Sequence, residues 1–417
     1  MFLEESLSSL FKTRSVNDTK ILITTDVFTP TINGVVTSVL NLSQQLMDNG
    51  HVVKILTLSK DHQSKKLDNV YYIKSFHLPI YPEVRGTFSF WDSYLDEIIE
   101  WNPDIIHSQS EFFTLVFAKK IAQRAKIPII HTYHTMYESY THYFIKSKRM
   151  GKKIVAYLTK KILRNVDTII APTKKVFNSL KLYHVENNIE IVPTGIKLHK
   201  FSQQLSQKEK NELRSYLGIA LDAKVLVTVG RLAKEKNADE LIDNMVHLVK
   251  EDTKITLLFV GDGPYYNYLK QRVKKLLLDK HVVFAGMIKQ QEIYKYYQIS
   301  DILVSASTSE TQGLTYIEAF ASGLPVICRK DSSVEGLIED GHNGFSYMNS
   351  IEYVNQVKSL FEDDMLANTI SNNGKRIVNH YCVSNFGSKM EQIYLNRITK
   401  QIDDQIDESV KSSLANQ

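Results

Sequence analysis

The chain has 417 residues, with 43% hydrophobic and 23% charged side chains. That is too long for one compact core, and the composition excludes a disordered or low-complexity protein. Its net charge of +5 gives no case for a nucleic-acid partner, so the distribution of charge matters more than its sum. The two cysteines, Cys328 and Cys382, are far apart and in no metal-ligand spacing, which argues against a disulfide framework and suits a reducing compartment.

Residues 1–19 (MFLEESLSSLFKTRSVNDT) carry Glu4 and Glu5 where a signal peptide would carry lysine or arginine. They read as a cytosolic N-terminal extension. No apolar run approaches the roughly 20 residues needed to span a bilayer, so any membrane contact is expected to be peripheral. From residue 20 onward short β-rich runs alternate with helical patterns, which points to parallel sheets built from βαβ units. Residues 20–28 (KILITTDVF) read as a buried strand. A loop with Pro30 and Gly34 follows, then an amphipathic helix that stops near Asn49 and Gly50. Residues 51–58 form a second strand, and further strands are expected at 104–107, 128–131, 167–171 and 189–192. After a polar stretch at 200–215 the pattern restarts, with strands at 224–230, 255–261, 281–286, 301–307 and 325–329.

The expected architecture is α/β, with two Rossmann-like domains at 20–200 and 201–375. A helix at 376–400 should cross back to the first domain, and 401–417 should form a polar tail. Two doubly wound parallel sheets of this kind face each other across an interdomain cleft, where ligands bind at the carboxyl ends of the strands. Neither first βα turn carries G-x-G-x-x-G, so a dehydrogenase loses its fingerprint.

Several constellations carry candidate chemistry. Residues 305–318 (SASTSETQGLTYIE) leave a strand, pass Gly313 and enter a helix at Leu314 and Thr315. N–H groups at a helix start form an anion site, which the helix dipole reinforces. Glu310 in the loop could accept hydrogen bonds from sugar hydroxyls, and Glu318 in the helix could hold both ribose hydroxyls; either could equally be a capping or dipole-favouring residue. Arg231 and Lys236 follow the first strand of the second domain, where they can neutralise a diphosphate without a metal. Gly261-Asp262-Gly263-Pro264 after the next strand suits a tight turn, and Asp262 needs no catalytic role there. In the first domain, His131 and His134 lie at the end of a strand within IIHTYHTMY (129–137). Gly34 could let a backbone N–H approach a phosphate or sugar, or could simply start a helix.

Taken together, Gly34, His131 and His134, Arg231 with Lys236, the 261–264 turn, and Glu310 separated by seven residues from Glu318 resemble retaining glycosyltransferase family 4, from residue 20 to about 400. The resemblance implies the GT-B fold, with an acceptor-binding first domain and a nucleotide-sugar-binding second domain. The strings HSQSEF (107–112), HTYHTMYESYTHY (131–143) and PTGI (193–196) are similar to those of bacterial 1,2-diacylglycerol 3-glucosyltransferases. The resemblance implies that Arg231 and Lys236 hold the diphosphate, that Gly313, Leu314 and Thr315 offer N–H groups to phosphate, and that Glu318 takes the ribose. Glu310 would bind the donor sugar, with His134 beside the reacting centre. Glucose from UDP-glucose would pass, with retention, to the 3-hydroxyl of diacylglycerol, with no metal and no other cofactor.

A membrane face is expected at residues 144–166 (FIKSKRMGKKIVAYLTKKILRNV). On a helical wheel Met150, Ile154, Leu158, Ile162 and Val166 share one side. Lys153, Lys160 and Arg164 lie opposite, Lys152 and Lys161 towards the flanks, and Leu163 breaks the pattern. A basic amphipathic segment can lie on an anionic leaflet, although the same pattern fits a surface helix packed on its own domain; the likeness to lipid glucosyltransferases favours the membrane. Tyr133, Tyr137, Tyr140, Tyr143 and Phe144 could line an acyl entrance. The enzyme would then sit on the inner face of the cell membrane. Another acceptor within family 4, or less readily a GT-B sugar-nucleotide epimerase, are the competing activities.

Overall fold

The computed structural model describes residues 18–31, 33–78, 85–137 and 147–415. Most of the expected N-terminal extension lies outside these residues, as do Tyr140, Tyr143 and Phe144. Two compact units divide the chain. The first runs to Thr135, resumes over Lys153–Gly195 and takes in the chain from Val383; the second comprises Met136–Lys152 and Ile196–Cys382.

In the first unit the strands are β1 (Lys20–Thr25), β2 (Val52–Leu58), β3 (Lys65–Leu67), β4 (Val70–Ile73), β5 (Phe76–His77), β6 (Arg85–Gly86), β7 (Ile105–Ser108), β8 (Ile129–Thr132), β9 (Thr168–Ala171) and β10 (Asn188–Ile191). Eight of them form one sheet in the order β10-β9-β8-β7-β1-β2-β4-β3. All its pairings are parallel except β3 with β4, while β5 and β6 make a separate antiparallel pair. The chain leaves β1 in one direction towards β2 and returns on the other side at β7. The reversal opens a crevice at the carboxyl ends of β1 and β7, the switch point at which such sheets bind ligands. The β1, β7, β8 and β9 side chains are almost wholly buried, so these strands read as apolar runs rather than alternating ones.

The terminal helix belongs to this first unit. It spans Val383–Ala415 and packs on the helix Gly34–Asp48, with Phe386, Met390, Ile393 and Tyr394 joining Val39, Leu42 and Leu46 in the core. A Cβ on Gly387 would sit 2.3 Å from the Gln45 side chain, so glycine sets how closely the two helices approach. Arg397 bonds Asp167, and Glu391 accepts from Asn49 at 2.9 Å and lies 3.2 Å from His51. The tail expected after residue 400 is instead the second half of this helix; its polar residues are solvated on a helix that the core anchors further back.

The second unit holds β11 (Lys224–Val229), β12 (Ile255–Val260), β13 (Val282–Gly286), β14 (Ile302–Ser305), β15 (Val326–Arg329) and β16 (Phe345–Tyr347), in the order β13-β12-β11-β14-β15-β16, all parallel. Its switch point lies between β11 and β14. The polar stretch at 200–215 is not a plain linker: Gln207–Tyr216 is a helix started by a capping box, in which Ser206 accepts from the Glu209 N–H and the Glu209 carboxylate accepts from the Ser206 N–H. The strands β3 to β6 and β16 were not legible in the sequence. They are two to four residues long and too short to carry a period.

Truncating Met390, which is fully buried beneath the terminal helix, should cost about 2–5 kcal/mol. Met390→Ala is therefore expected to lower the first thermal transition by several degrees in scanning calorimetry; an unchanged midpoint would mean that this helix is no part of the core.

Candidate active site

Two loops meet at the switch point of the second sheet. After β11 the chain runs through Gly230 and Arg231 into a 3-10 turn, Lys234–Lys236. Asn237 ends the turn in the left-handed region at φ 49° and donates to the Ala306 carbonyl at 3.2 Å. After β14 the second loop returns the contact: the Ser309 hydroxyl donates to the Glu235 carbonyl at 3.1 Å. Across these stitches Lys236 Nζ lies 2.6 Å from Glu310 Oε1. Arg231 pairs with Glu235, which is buried, at 3.1 Å. Burial pulls the Arg231 guanidinium below its ordinary value and Glu235 opposes that shift.

The sequence reading placed Arg231 and Lys236 on a diphosphate and Glu310 on the donor sugar. In the structure each cation already has a carboxylate partner, and Glu310 is the partner of Lys236. The pairing holds both side chains of the pair in place, since each is largely withdrawn from water and would be costly to leave unpaired.

The glycines around the loops have a steric reason. A Cβ on Gly261 would lie 2.0 Å from the Gly230 oxygen, and one on Gly263 would lie 2.3 Å from the Leu232 oxygen. The turn after β12 therefore packs backbone against backbone on the loop that carries Arg231. Asp262 accepts from the Gly263 N–H at 2.7 Å, a turn contact that gives it no chemical task.

Gly313 adopts φ 74°, ψ 53° and stands at the N-cap of the helix Leu314–Ser322, where it supplies no side-chain acceptor to the first N–H groups. A Cβ there would also strike the Tyr316 ring at 2.5 Å. The N–H groups of Leu314 and Thr315 thus begin a helix whose start favours an anion. Glu318, on the same helix, is only 5% exposed. It accepts from the Tyr297 hydroxyl at 2.9 Å, and burial pushes its carboxyl up to about 7, against the hydrogen bonds from Tyr297 and Gln290. Tyr297, not singled out in the sequence, also reaches the Thr315 carbonyl at 3.4 Å and so joins Glu318 to the helix start.

The first unit brings together a different group. His134 follows β8, and its Nε2 lies 2.6 Å from Gln109 Oε1. Burial, with His131 nearby, pushes the His134 ring down to about 3, so the imidazole is neutral at physiological pH. His131 is fully buried, with Nε2 3.6 Å from Glu111. Asp26, at the end of β1, accepts from the N–H groups of Phe112 and Thr114 and so caps the helix Phe113–Ala125. Burial raises its carboxyl to about 6 while those hydrogen bonds hold it down. Gln109, Glu111 and Asp26 were missed as candidates, although Gln109 and Glu111 stand inside the HSQSEF string. Gly34 is the first residue of its helix, and the cap of that helix is Asn33, whose side chain accepts from Val36 at 2.9 Å.

The basic segment is helical over Lys148–Ile162. Lys152, Lys153, Lys160 and Lys161 are exposed on it, while Arg164 lies in the turn that follows. Lys160 pairs with Glu186 at 2.7 Å. The stripe expected on one face divides. Met150 (55%), Tyr157 (66%) and Leu158 (46%) are exposed, and Ile154 is also open to solvent. Leu163, expected to break the pattern, and Val166, expected to extend it, are both buried. The helix ends before them, and left-handed Asn165 at φ 63° turns the chain into the core. Tyr133, considered for an acyl entrance, is a core residue whose hydroxyl lies 3.3 Å from that of Thr159. Among the described residues no helix is long and apolar enough to cross a membrane, and no group of three or more His, Cys, Asp or Glu side chains is arranged to hold a metal ion.

Fold and sites define a two-unit GT-B glycosyltransferase, and comparison with known proteins gives the same class. Residues 32–200 match the description "Glycosyltransferase Family 4" and residues 209–377 match "Glycosyl transferases group 1". The chain belongs to glycosyltransferase family 4. Within that class it is 35% identical to the alpha-monoglucosyldiacylglycerol synthase of Streptococcus pneumoniae, over 90% of this chain and 85% of the relative. It is 31% identical to the enzyme of that name from Acholeplasma laidlawii, over 91% of this chain and 98% of the relative. Among solved structures, Anabaena HepE in complex with UDP-glucose shares the fold with a TM-score of 0.72 at 18% identity, covering 90% of this chain and 99% of that one.

Glu318 gives the donor side a pH signature. The family resemblance implies that Glu318 takes the ribose; an ionised carboxylate accepts from hydroxyls more strongly than the protonated acid, so on that expectation affinity for the nucleotide should be full above pH 8 and weaken as pH falls through about 7. The limiting slope is about tenfold per pH unit. Calorimetric titration with UDP between pH 5.5 and 8.5 checks this, and the slope should vanish in Glu318→Gln.

Proposed function

We propose that this protein transfers glucose from UDP-glucose to the 3-hydroxyl of 1,2-diacylglycerol, with retention of configuration, at an anionic membrane surface facing the cytoplasm. The observation that carries the acceptor is the similarity, over nine-tenths of the chain, to two alpha-monoglucosyldiacylglycerol synthases. The loop geometry of the second unit supports the donor.

In this reading Arg231, Lys236 and the N–H groups of Leu314 and Thr315 meet the diphosphate, and the backbone N–H of Gly34 is a further donor-binding group. As the bond from the anomeric carbon to the phosphate oxygen breaks, negative charge grows on the leaving UDP. Donors already fixed in place stabilise that charge without reorganising. The glycerol oxygen forms the new bond to the anomeric carbon, and its proton leaves towards the departing phosphate. Glu310, held by Lys236, accepts from sugar hydroxyls, and Glu318 accepts from the ribose. His134 stands beside the reacting sugar as a neutral ring. The exposed apolar residues Met150, Ile154, Tyr157 and Leu158, flanked by Lys152, Lys153, Lys160 and Lys161 and followed by Arg164, support peripheral docking on acidic lipid.

Incubation with labelled UDP-glucose and diacylglycerol, followed by lipid extraction, should yield a monoglucosyl lipid. Because arginine, lysine and backbone groups supply the positive charge, EDTA should leave the rate within about twofold, and Glu310→Ala should lower it by at least about a hundredfold. Normal turnover by Glu310→Ala would overturn the assignment of the sugar site. Vesicles containing anionic lipid should co-sediment the protein and neutral vesicles should not. Replacing Lys152, Lys153 and Lys161 together by alanine should weaken binding by about 1 kcal/mol per charge, and binding indifferent to lipid charge would remove the membrane reading.

A further inference from the structure

Between His107 and His134 in the first unit lies a side chain with no role so far. Gln109 is 1% exposed, and its backbone N–H is fixed to the Thr24 carbonyl at 2.7 Å. Its amide oxygen faces His134 Nε2 at 2.6 Å. The amide nitrogen faces the His107 ring, at 3.0 Å from Nε2 and 3.2 Å from Nδ1. His107 is itself clamped: Nε2 meets the Thr132 hydroxyl at 2.7 Å and Nδ1 meets the Tyr394 hydroxyl at 2.5 Å. Tyr394 comes from the terminal helix, so a chain of contacts runs from that helix through His107 and Gln109 to His134.

We infer that Gln109 is a positioning residue that fixes the ring orientation of His134 and holds its proton on Nε2. The inference rests on the reading of His134 as the residue beside the reacting sugar.

An amide oxygen only accepts and an amide nitrogen only donates. With the oxygen turned to His134, Nε2 must carry the hydrogen. Gln109 cannot swing away, because its backbone is bonded to β1 and its side chain is enclosed. In a neutral ring with Nε2–H, Nδ1 is unprotonated. Such a ring is neither a cation nor an acid, and its remaining hydrogen-bonding capacity at Nδ1 is that of an acceptor. The titratable groups around it are His131 and His107, both fully buried, with Glu111 against His131 and Tyr394 against His107. Burial and the neighbouring rings keep His107 and His134 neutral, so neither of these two imidazoles offers the other a cation. Holding an imidazole in one tautomer is a known source of rate in hydrolytic triads, where a carboxylate does it; here an uncharged amide does it and leaves the ring neutral.

The test is NMR of the full-length protein labelled with nitrogen-15 histidine, with His134 assigned by its loss in His134→Gln. At pH 7 the His134 signals should show protonated Nε2 and unprotonated Nδ1. The opposite tautomer, or a ring that titrates near pH 6.5, would overturn the inference whatever the activity. In Gln109→Leu the tautomers should mix and kcat should fall about tenfold to a hundredfold, with KM for UDP-glucose within threefold. Gln109→Glu keeps an acceptor at the same point, so it should restore the Nε2–H form and keep kcat above that of Gln109→Leu. If Gln109→Leu does not fold, the tautomer of the parent protein and of Gln109→Glu decides. Full turnover by His134→Ala would remove the reading on which the inference rests while leaving the tautomer result intact.

Discussion

The ion pair between Lys236 and Glu310 joins the two loops that follow β11 and β14, on which the proposed donor site depends. Each side chain alone would be a partly buried charge at the end of a parallel sheet, costly to hold and free to swing. Paired at 2.6 Å, and with the backbone stitched by Asn237 to Ala306 and by Ser309 to Glu235, they become fixed parts of one surface. In the proposed reaction a diphosphate at this surface would meet donors already in position, so the positive charge it needs would not have to be assembled during the reaction. The same pairing would divide the work: the carboxylate that steadies the lysine is the one proposed to take sugar hydroxyls with its remaining lone pairs.

Packing makes this arrangement possible. The turn at 261–264 approaches the Arg231 loop so closely that a single methyl group would collide with backbone oxygen. Gly313 then starts the following helix without a side-chain cap. Glycine therefore acts in two ways, by letting loops touch and by leaving a helix end open to an anion. Glu318 lies one layer deeper and carries the cost of its burial in a raised pKa.

In the first unit the logic is reversed. Burial there serves to keep rings neutral, and the polar groups satisfy one another in a chain from Tyr394 to His134. The terminal helix closes that chain and the hydrophobic core together, so residues near the end of the sequence help to set the geometry of residues near its first third. The helix Lys148–Ile162 shows the same economy on a smaller scale: one side is anchored by Thr159, which is buried, and the other leaves apolar side chains beside lysines.

The sequence was sufficient for the class of fold. Long apolar strands such as 20–25 and 255–260 announce themselves because both faces are buried, and the Glu310 and Glu318 spacing with Arg231 and Lys236 marks the donor side. What it could not supply were facts that depend on distance through space. The strands β3 to β6 and β16 are too short to carry a period, and Leu163 looked like a flaw in a stripe because the wheel assumed a helix that in fact ends at Ile162. Lys236 and Glu310 are 74 residues apart, and Tyr394 and His107 are 287 apart. Local pattern records which face of an element is apolar, whereas ion pairs, tautomers and buried carboxylates are set by whichever distant groups the packed sheets bring within a few ångströms.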